Sequence, residues 1–327
     1  IGIYAVGALP VNASSLPLLT AIVLAANVAV TFVAMSVESL MAYCTSSDEK
    51  GRVGGWFQAG NLGGSGLGGG AGLWIAGHLS ATWMAGAVLG TVCLLCCLGL
   101  IFVPEPQAAP RLEGVWRGMV TVVKDLWIVA RSRLGYLGLL ICFLPIGSGA
   151  ASNLWSAIAG DWHASADTVA AVNGAMSGLV AAAGCIVGGY ACDRMDRKAA
   201  YALFGVLLAL CAAAMAIAPR TDTMYVCFVM LYAFISGLTY AGFSAVVLEA
   251  IGHGAAATKY SLFASLSNMP IAYMTVIDGW SHTRWGASAM LYSEAAIGLA
   301  GLLLFAGLAL VSKRAATGAS SAPAVAR

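Results

Sequence analysis

The sequence predicts an all-α polytopic membrane protein of about nine transmembrane helices. Two observations carry that prediction. Only 9% of the 327 residues are charged and 60% are apolar, with a mean hydropathy of +0.87, whereas soluble domains are about a quarter charged. The apolar residues also gather in runs close to the roughly 20 residues that take a helix across a bilayer core. A membrane barrel would show alternating segments of about ten residues instead.

Ile1 to Leu9 is apolar but too short to span, and reads as the end of a helix without the charged start of a signal peptide. Pro10 to Ser15 reads as a turn. The first span is expected over Leu16–Tyr43, followed by a polar turn from Ser46 to Arg52. The second, Val53–Ala76, holds eight glycines between Gly60 and Gly72. In water that would be a linker, but in lipid every backbone group needs an internal partner, so the segment is expected to be helical. No Gly-Lys-Ser/Thr follows Gly64-Ser65-Gly66, which argues against a phosphate loop.

The third span, Thr82–Val103, stops at Pro104-Glu105-Pro106. Residues 104–133 form the longest polar stretch and divide the chain into 1–103 and 134–311. Trp116, Met119, Val120, Val123, Leu126 and Trp127 are spaced along one helix face, which is expected to lie on the membrane surface. The remaining spans are Leu134–Ala159, broken at Pro145 and Gly147; Val169–Tyr190; Ala199–Ala218; Met224–Leu248; Ala257–Ile277, kinked at Pro270; and Ala287–Val311. Residues 312–327 are expected to be a disordered tail.

Charge tests the count. With the 44–52 turn placed in the cytoplasm and sides alternated, fourteen of the sixteen Lys and Arg residues are cytoplasmic, and only Arg220 and Arg284 fall outside. The C-terminus is then cytoplasmic. The nine cysteines lie in or at the ends of spans, where they serve as small apolar side chains. No metal, cofactor or nucleic-acid surface is indicated, and no nucleotide-binding signature suggests a pump. His78, His163, His253 and His282 lie in turns or near span ends without catalytic spacing, which argues against an intramembrane enzyme.

One knot of opposite charge stands between two spans: Gly188-Gly189-Tyr190-Ala191-Cys192-Asp193-Arg194-Met195-Asp196-Arg197-Lys198. By itself it could be a generic basic loop. Its spacing, carried by Gly189, Asp193, Arg194, Arg197 and Lys198, resembles the inter-helix signature of the major facilitator superfamily. That resemblance makes the chain similar to helices 4 to 12 of a twelve-helix bundle, with the N-terminal helices missing. It implies a secondary transporter that moves a small-molecule solute by alternating access, coupled to a proton. A truncated, transport-inactive relative with a binding or structural role is the alternative.

Two blocks further resemble the branch of AmpG-type muropeptide permeases and acetyl-CoA transporters. One runs from Glu49-Lys50-Gly51 through Gly69-Gly70-Ala71-Gly72-Leu73-Trp74 to Pro104-Glu105-Pro106, the other from Ala257 to Ser267. Two acids four apart in that branch correspond here to Ala34 and Glu38, and an expected arginine is Leu62, departures that point away from a charged, peptide-bearing sugar. A bacterial inner membrane is the expected location.

The resemblance implies that Asp193 meets the partner half at the helix beginning near Gly51 and Arg52, whose N-terminus is partially positive. Arg194 or Arg197 could pair with Glu249, for which a gating role is preferred to proton carrying. Glu38 and Glu294 lie inside apolar spans and are the proton-coupling candidates; Asp278 is expected to be a solvated end residue. The first, fourth and seventh spans are assigned to the cavity, with Asn27, Thr31, Asn153, Trp155, Tyr232 and Tyr240 as substrate-binding candidates that could equally be packing residues. The glycine-rich second span and the Gly174/Gly178 and Gly184/Gly188 pairs suit sliding contact between halves, or ordinary tight packing.

Overall fold

The computed structural model describes residues 2–8, 16–79, 82–102, 139–251 and 256–320, and within the linker Val120, Val123, Lys124, Trp127, Ile128 and Arg131. The helices are α1 (Gly2–Ala8), α2 (Leu16–Cys44), α3 (Lys50–His78), α4 (Thr82–Cys96, continued by a 3-10 segment over Cys97–Phe102), α5 (Trp155–Ile158), α6 (Ala166–Ala171), α7 (Ser177–Arg194), α8 (Arg197–Ile217), α9 (Asp222–Ala250), α10 (Ala256–Leu266), α11 (Asn268–Trp285) and α12 (Ala287–Ser320). Each predicted span is occupied by helical structure, and among the described residues there is no strand. Long apolar side chains such as Leu24, Val30, Phe32, Ile217 and Leu303 point outward, as lipid permits and water would not.

Four local features depart from the predicted elements. Among the described residues the fourth span is an α-helix over 139–143, loosens around Pro145 with Gly147 and Gly149 at φ +60° and +70°, and resumes as 3-10 and α turns over 150–158. Backbone carbonyls released there are bonded by tyrosine hydroxyls: Tyr273 to Phe143, Tyr201 to Ile146 and Tyr225 to Trp155, at 2.8 to 3.0 Å. Irregular backbone at this depth is tolerable because it is bonded within the protein. The fifth span carries a π segment at Val172–Met176, with Gly174 outside helical geometry. The eighth breaks at Ser267 rather than at Pro270, since a proline has no N–H to offer and crowds the carbonyl four residues before it.

The fourth departure concerns the ends. α11 runs to Trp285 and α12 to Ser320, so the expected disordered tail is helical as far as Ser320, and 321–327 lie outside the described residues. The turn at 10–15 and most of the linker also lie outside them. The six linker residues that are described are all helical and exposed, with the Arg131 guanidinium 4.7 Å from the centre of the Trp127 ring.

The N-terminal helices meet the C-terminal ones mainly where α3 runs antiparallel to α7, and α9 packs on both. Every third or fourth residue of α3 faces α7. A Cβ added at Gly55 would lie 2.6 Å from the Cys185 carbonyl, at Gly66 2.7 Å from Gly178 Cα, and at Gly70 2.9 Å from Ala175 Cβ. Of the pairs expected at the contact between halves, only Gly178 lies against α3; Gly184 and Gly188 lie against α9 of their own half, and Gly174, where an added Cβ would meet nothing, marks the π break. Between α7 and α9 the approach is closer still. Cβ atoms at Gly184 and Gly237 would each stand 2.0 Å from a carbonyl oxygen, of Phe234 and Ala181 respectively.

In an open helix position Gly→Ala gains about 0.5–1 kcal/mol. Gly184→Ala should reverse that sign and destabilise by roughly 1–3 kcal/mol through overpacking. Gly60→Ala, which enters open space, should be neutral or better. Unfolding of both variants in detergent checks the pair, and equal stabilities would contradict the close α7–α9 contact.

Candidate functional site

Basic residues are concentrated at one end of the helices, and there the N-terminus of α3 meets the end of α7. The cap residue of α3, Glu49, makes no side-chain cap bond, which leaves early backbone donors without an intrahelical partner. Asp193 supplies what is missing. Gly51 N donates to Asp193 Oδ1 at 2.7 Å, Arg52 N to Oδ2 at 2.9 Å, and Arg52 Nε to Oδ2 at 3.1 Å. A carboxylate from one group of helices thus caps a helix of the other, with the partial positive charge of that terminus in its favour. Gly51 and Gly189 allow it: a Cβ on Gly51 would lie 2.5 Å from Asp193 Oδ1, and one on Gly189 2.7 Å from the Gly51 carbonyl.

Around this clamp the remaining charges pair. Arg197 Nη1 lies 3.3 Å from Glu249 Oε2, and Lys198 Nζ 3.7 Å from Glu249 Oε1. Arg197 also donates through Nη2 to the Ser47 carbonyl across the seam. Arg194 is exposed. Asp196 caps its own helix α8, accepting from Ala199 N at 2.9 Å. Lys50 Nζ reaches the Leu248 carbonyl at 2.8 Å.

Below the charged layer lies a neutral one that sequence reading missed. Gln58 Nε2 donates to Ser244 Oγ at 2.8 Å, and Ser244 bonds the Tyr260 hydroxyl at 2.7 Å. The Ser261 hydroxyl donates to Glu38, tying α10 to α2. Glu38 is therefore buried and partnered rather than reaching the surface. The only signal for this layer was three isolated polar residues in apolar spans.

Further from the basic end, the two groups of helices line a half-open cavity of about 870 Å³. Its wall includes Ser65, Gly66, Ser152, Trp155, Asn173 and Tyr240, with Tyr232 and Ala233 beside them, and among the described residues no Asp, Glu, Lys or Arg lines it. Of the predicted substrate residues, Trp155, Tyr232 and Tyr240 line it. Asn153 instead donates to Thr275 at 3.0 Å. Asn27 and Thr31 bond back to carbonyls of α2 and are absent from the wall, whose N-terminal face is α3 and not α2.

Two further acids, Glu294 and Asp278, are buried in the C-terminal helices. Glu294 accepts from Tyr232 at 2.8 Å and from Ser148 at 3.1 Å. Asp278 is wholly buried, which corrects its expected place as a solvated end residue. α11 continues two turns past it and packs it against α12, where Ser293 Oγ donates to Asp278 Oδ1 at 2.7 Å.

Replacing Asp193 with Asn removes the charge from three bonds, each worth about 1.5–3 kcal/mol when one partner is ionised. The neighbouring Cys192, now buried, should become open to a water-soluble thiol reagent in Asp193→Asn. Mass-spectrometric labelling at Cys192 checks this, and unchanged protection in the folded variant would show that the clamp does not hold this end shut.

Comparisons with known proteins agree with this architecture. The chain is similar in structure to the human organic anion transporter MFSD10 (TETRAN), with a TM-score of 0.67 and 18% sequence identity, covering 93% of this chain and 74% of that one. At that identity the likeness concerns the fold. No curated protein matches the chain. The sequence model of the Major Facilitator Superfamily matches residues 1–273, well over half of the chain, and the protein therefore belongs to that superfamily of membrane transporters.

Proposed function

We propose that this transporter moves a small neutral or amphipathic solute by alternating access, driven by a proton gradient. The observation that carries the reading is the cavity of about 870 Å³ between the two groups of helices, adjoining a seam whose polar contacts at the basic end can open without breaking a helix. The charge asymmetry supports placing that end, and the C-terminus, in the cytoplasm of a bacterial inner membrane. The arrangement then corresponds to a cytoplasmically closed state, held by Asp193 on Gly51 and Arg52, with Arg197 and Lys198 on Glu249. Glu38 and Glu294 are the buried acids available for coupling.

The uncharged wall bears on the substrate. MFSD10 is an organic anion transporter, but among the described residues no Lys or Arg lines this cavity to meet an anion. Hydroxyls, one amide and aromatic rings suit a sugar-like or amphipathic molecule that carries little charge, the muropeptide-permease resemblance included.

A thermal-shift screen of such metabolites, with uncharged disaccharides among them, should find a ligand that stabilises the detergent-purified protein by about 2.7 kcal/mol at a hundredfold excess over its Kd. Ala233→Trp, which fills the wall, should abolish both that shift and uptake into proteoliposomes. Full uptake by this variant would refute the cavity as the route, and a ligand that binds but never crosses would favour a binding role.

A further inference from the structure

The two buried acids of the C-terminal helices are placed to act on each other. Asp278 is 0% exposed and Glu294 5%, and Ser293, the residue before Glu294, bonds Asp278 at 2.7 Å, which brings the two carboxyl groups within interaction range of each other. One oxygen of each is supplied with donors, from Tyr232 and Ser148 on Glu294 Oε1 and from Ser293 on Asp278 Oδ1. The other two, Asp278 Oδ2 and Glu294 Oε2, are buried and receive no N–H or O–H from any other residue. An ionised carboxylate only accepts, so two of them cannot bond; a carboxylic acid facing a carboxylate can, and one shared proton then satisfies both orphan oxygens.

We propose that Asp278 and Glu294 hold a single proton between them, and that Tyr232 connects this site to the central cavity. The inference deepens the transport reading and rests on it for the proton's purpose, although the site itself does not. Tyr232 belongs to both places. Its ring lines the cavity and meets Trp155 edge-on at 5.0 Å, while its hydroxyl touches Glu294.

The step moves one proton only. Glu294 Oε1 takes the Tyr232 hydroxyl proton as the phenolic oxygen is reprotonated from the cavity, and the Glu294 carboxyl then turns to present that O–H to Asp278 Oδ2, so the pair passes from two negative charges to one and no other bond changes. The titratable groups facing the site from the packed helices are Tyr232 on α9 and Cys211 on α8, with His282 one turn along α11. Arg220, bonded to Ser288 near the start of α12, pairs with Asp161. Among the described residues no Lys or Arg forms an ion pair with either acid. Loss of the proton therefore leaves two adjacent negative charges without a counter-ion, which pushes α11 from α12. α11 packs on Ala150–Leu154, the segment that brings Ser152 to the cavity wall, so the charge state of the pair bears on the cavity's shape.

Infrared difference spectra of the detergent-purified protein, taken across about pH 5 to 9 where such coupled acids titrate, test the site without any substrate. The wild type should show one carboxylic-acid C=O band that disappears as pH rises. Glu294→Gln should lose it over that range, because the amide can donate to Asp278 and let it ionise. Ser293→Ala, which keeps both acids and removes a donor to the charged form, should retain the band to higher pH. Tyr232→Phe should keep the band but slow its exchange in deuterated buffer. Absence of the band in the wild type, or a band unchanged in both Glu294→Gln and Ser293→Ala, would overturn the proposal. So would its displacement by sodium at constant pH, which would make the pair a metal-cation site. Failure of uptake with the band titrating as described would instead count against transport and leave the proton site standing.

Discussion

A helix that cannot cap itself sets the terms for the rest of this structure. α3 begins at Lys50 with no side-chain bond from its own cap residue, and the carboxylate that satisfies it comes from α7. Asp193 can do so only if the two backbones nearly touch, and the glycines at 51, 55, 66, 178 and 189 permit that approach. In a bilayer there is no hydrophobic drive to hold two apolar helices together, since lipid covers them as well as protein does. What remains is close packing along the seam and a few strong polar contacts at its end. Water can replace those contacts at the membrane surface, which is what the proposed opening of this end would require.

The break in the fourth span is the second organising feature. A continuous helix from 139 to 158 would point its side chains along one stripe. The irregular turn at Gly147 and Gly149 instead sends Ser148 towards Glu294 and leaves Gly149, Ser152 and Trp155 on the cavity wall. The cost is a set of stranded carbonyls, and the three tyrosines that bond them come from α8, α9 and α11. The break therefore holds its shape only while those helices are packed, which ties cavity geometry to the fold around it.

Much of the fold was legible because a membrane imposes a length and a charge sign on each segment. Span positions and the break at Pro145 and Gly147 follow from such local signals, whereas the encounter of Asp193 with the start of α3 was implied by the family resemblance. What the sequence did not give was the rotation of each helix. Asn27 and Thr31 stand at a plausible depth, yet their side chains bond back to α2 while α3 takes the cavity wall. Asp278 looked like an end residue because polar residues follow it, but α11 outlasts them and turns it inward against α12. Gln58, Ser244 and Tyr260 became a layer only when three helices came together. Depth can be counted along a chain; facing depends on neighbours.

These features share one element. α9 carries Tyr232 at the acid pair, Gly237 at its closest contact with α7, Ser244 in the neutral layer and Glu249 in the charged one. From Tyr232 to Glu249 is about 26 Å along a helix rising 1.5 Å per residue, a distance over which two unit charges interact by only about 0.6 kcal/mol at an effective dielectric of about 20. A helix is stiff over that distance, however, and at Gly237 its backbone rests directly on α7, leaving little room to translate there. A displacement of α11 and α12 at one end of α9 is therefore resolved as tilt about the Gly184–Gly237 contact, and tilt acts on Ser244 and Glu249 beyond it. If the proposed proton coupling holds, protonation and closure would communicate through the orientation of this single helix, and the two glycines that fix its pivot would be as much a part of that communication as the acids.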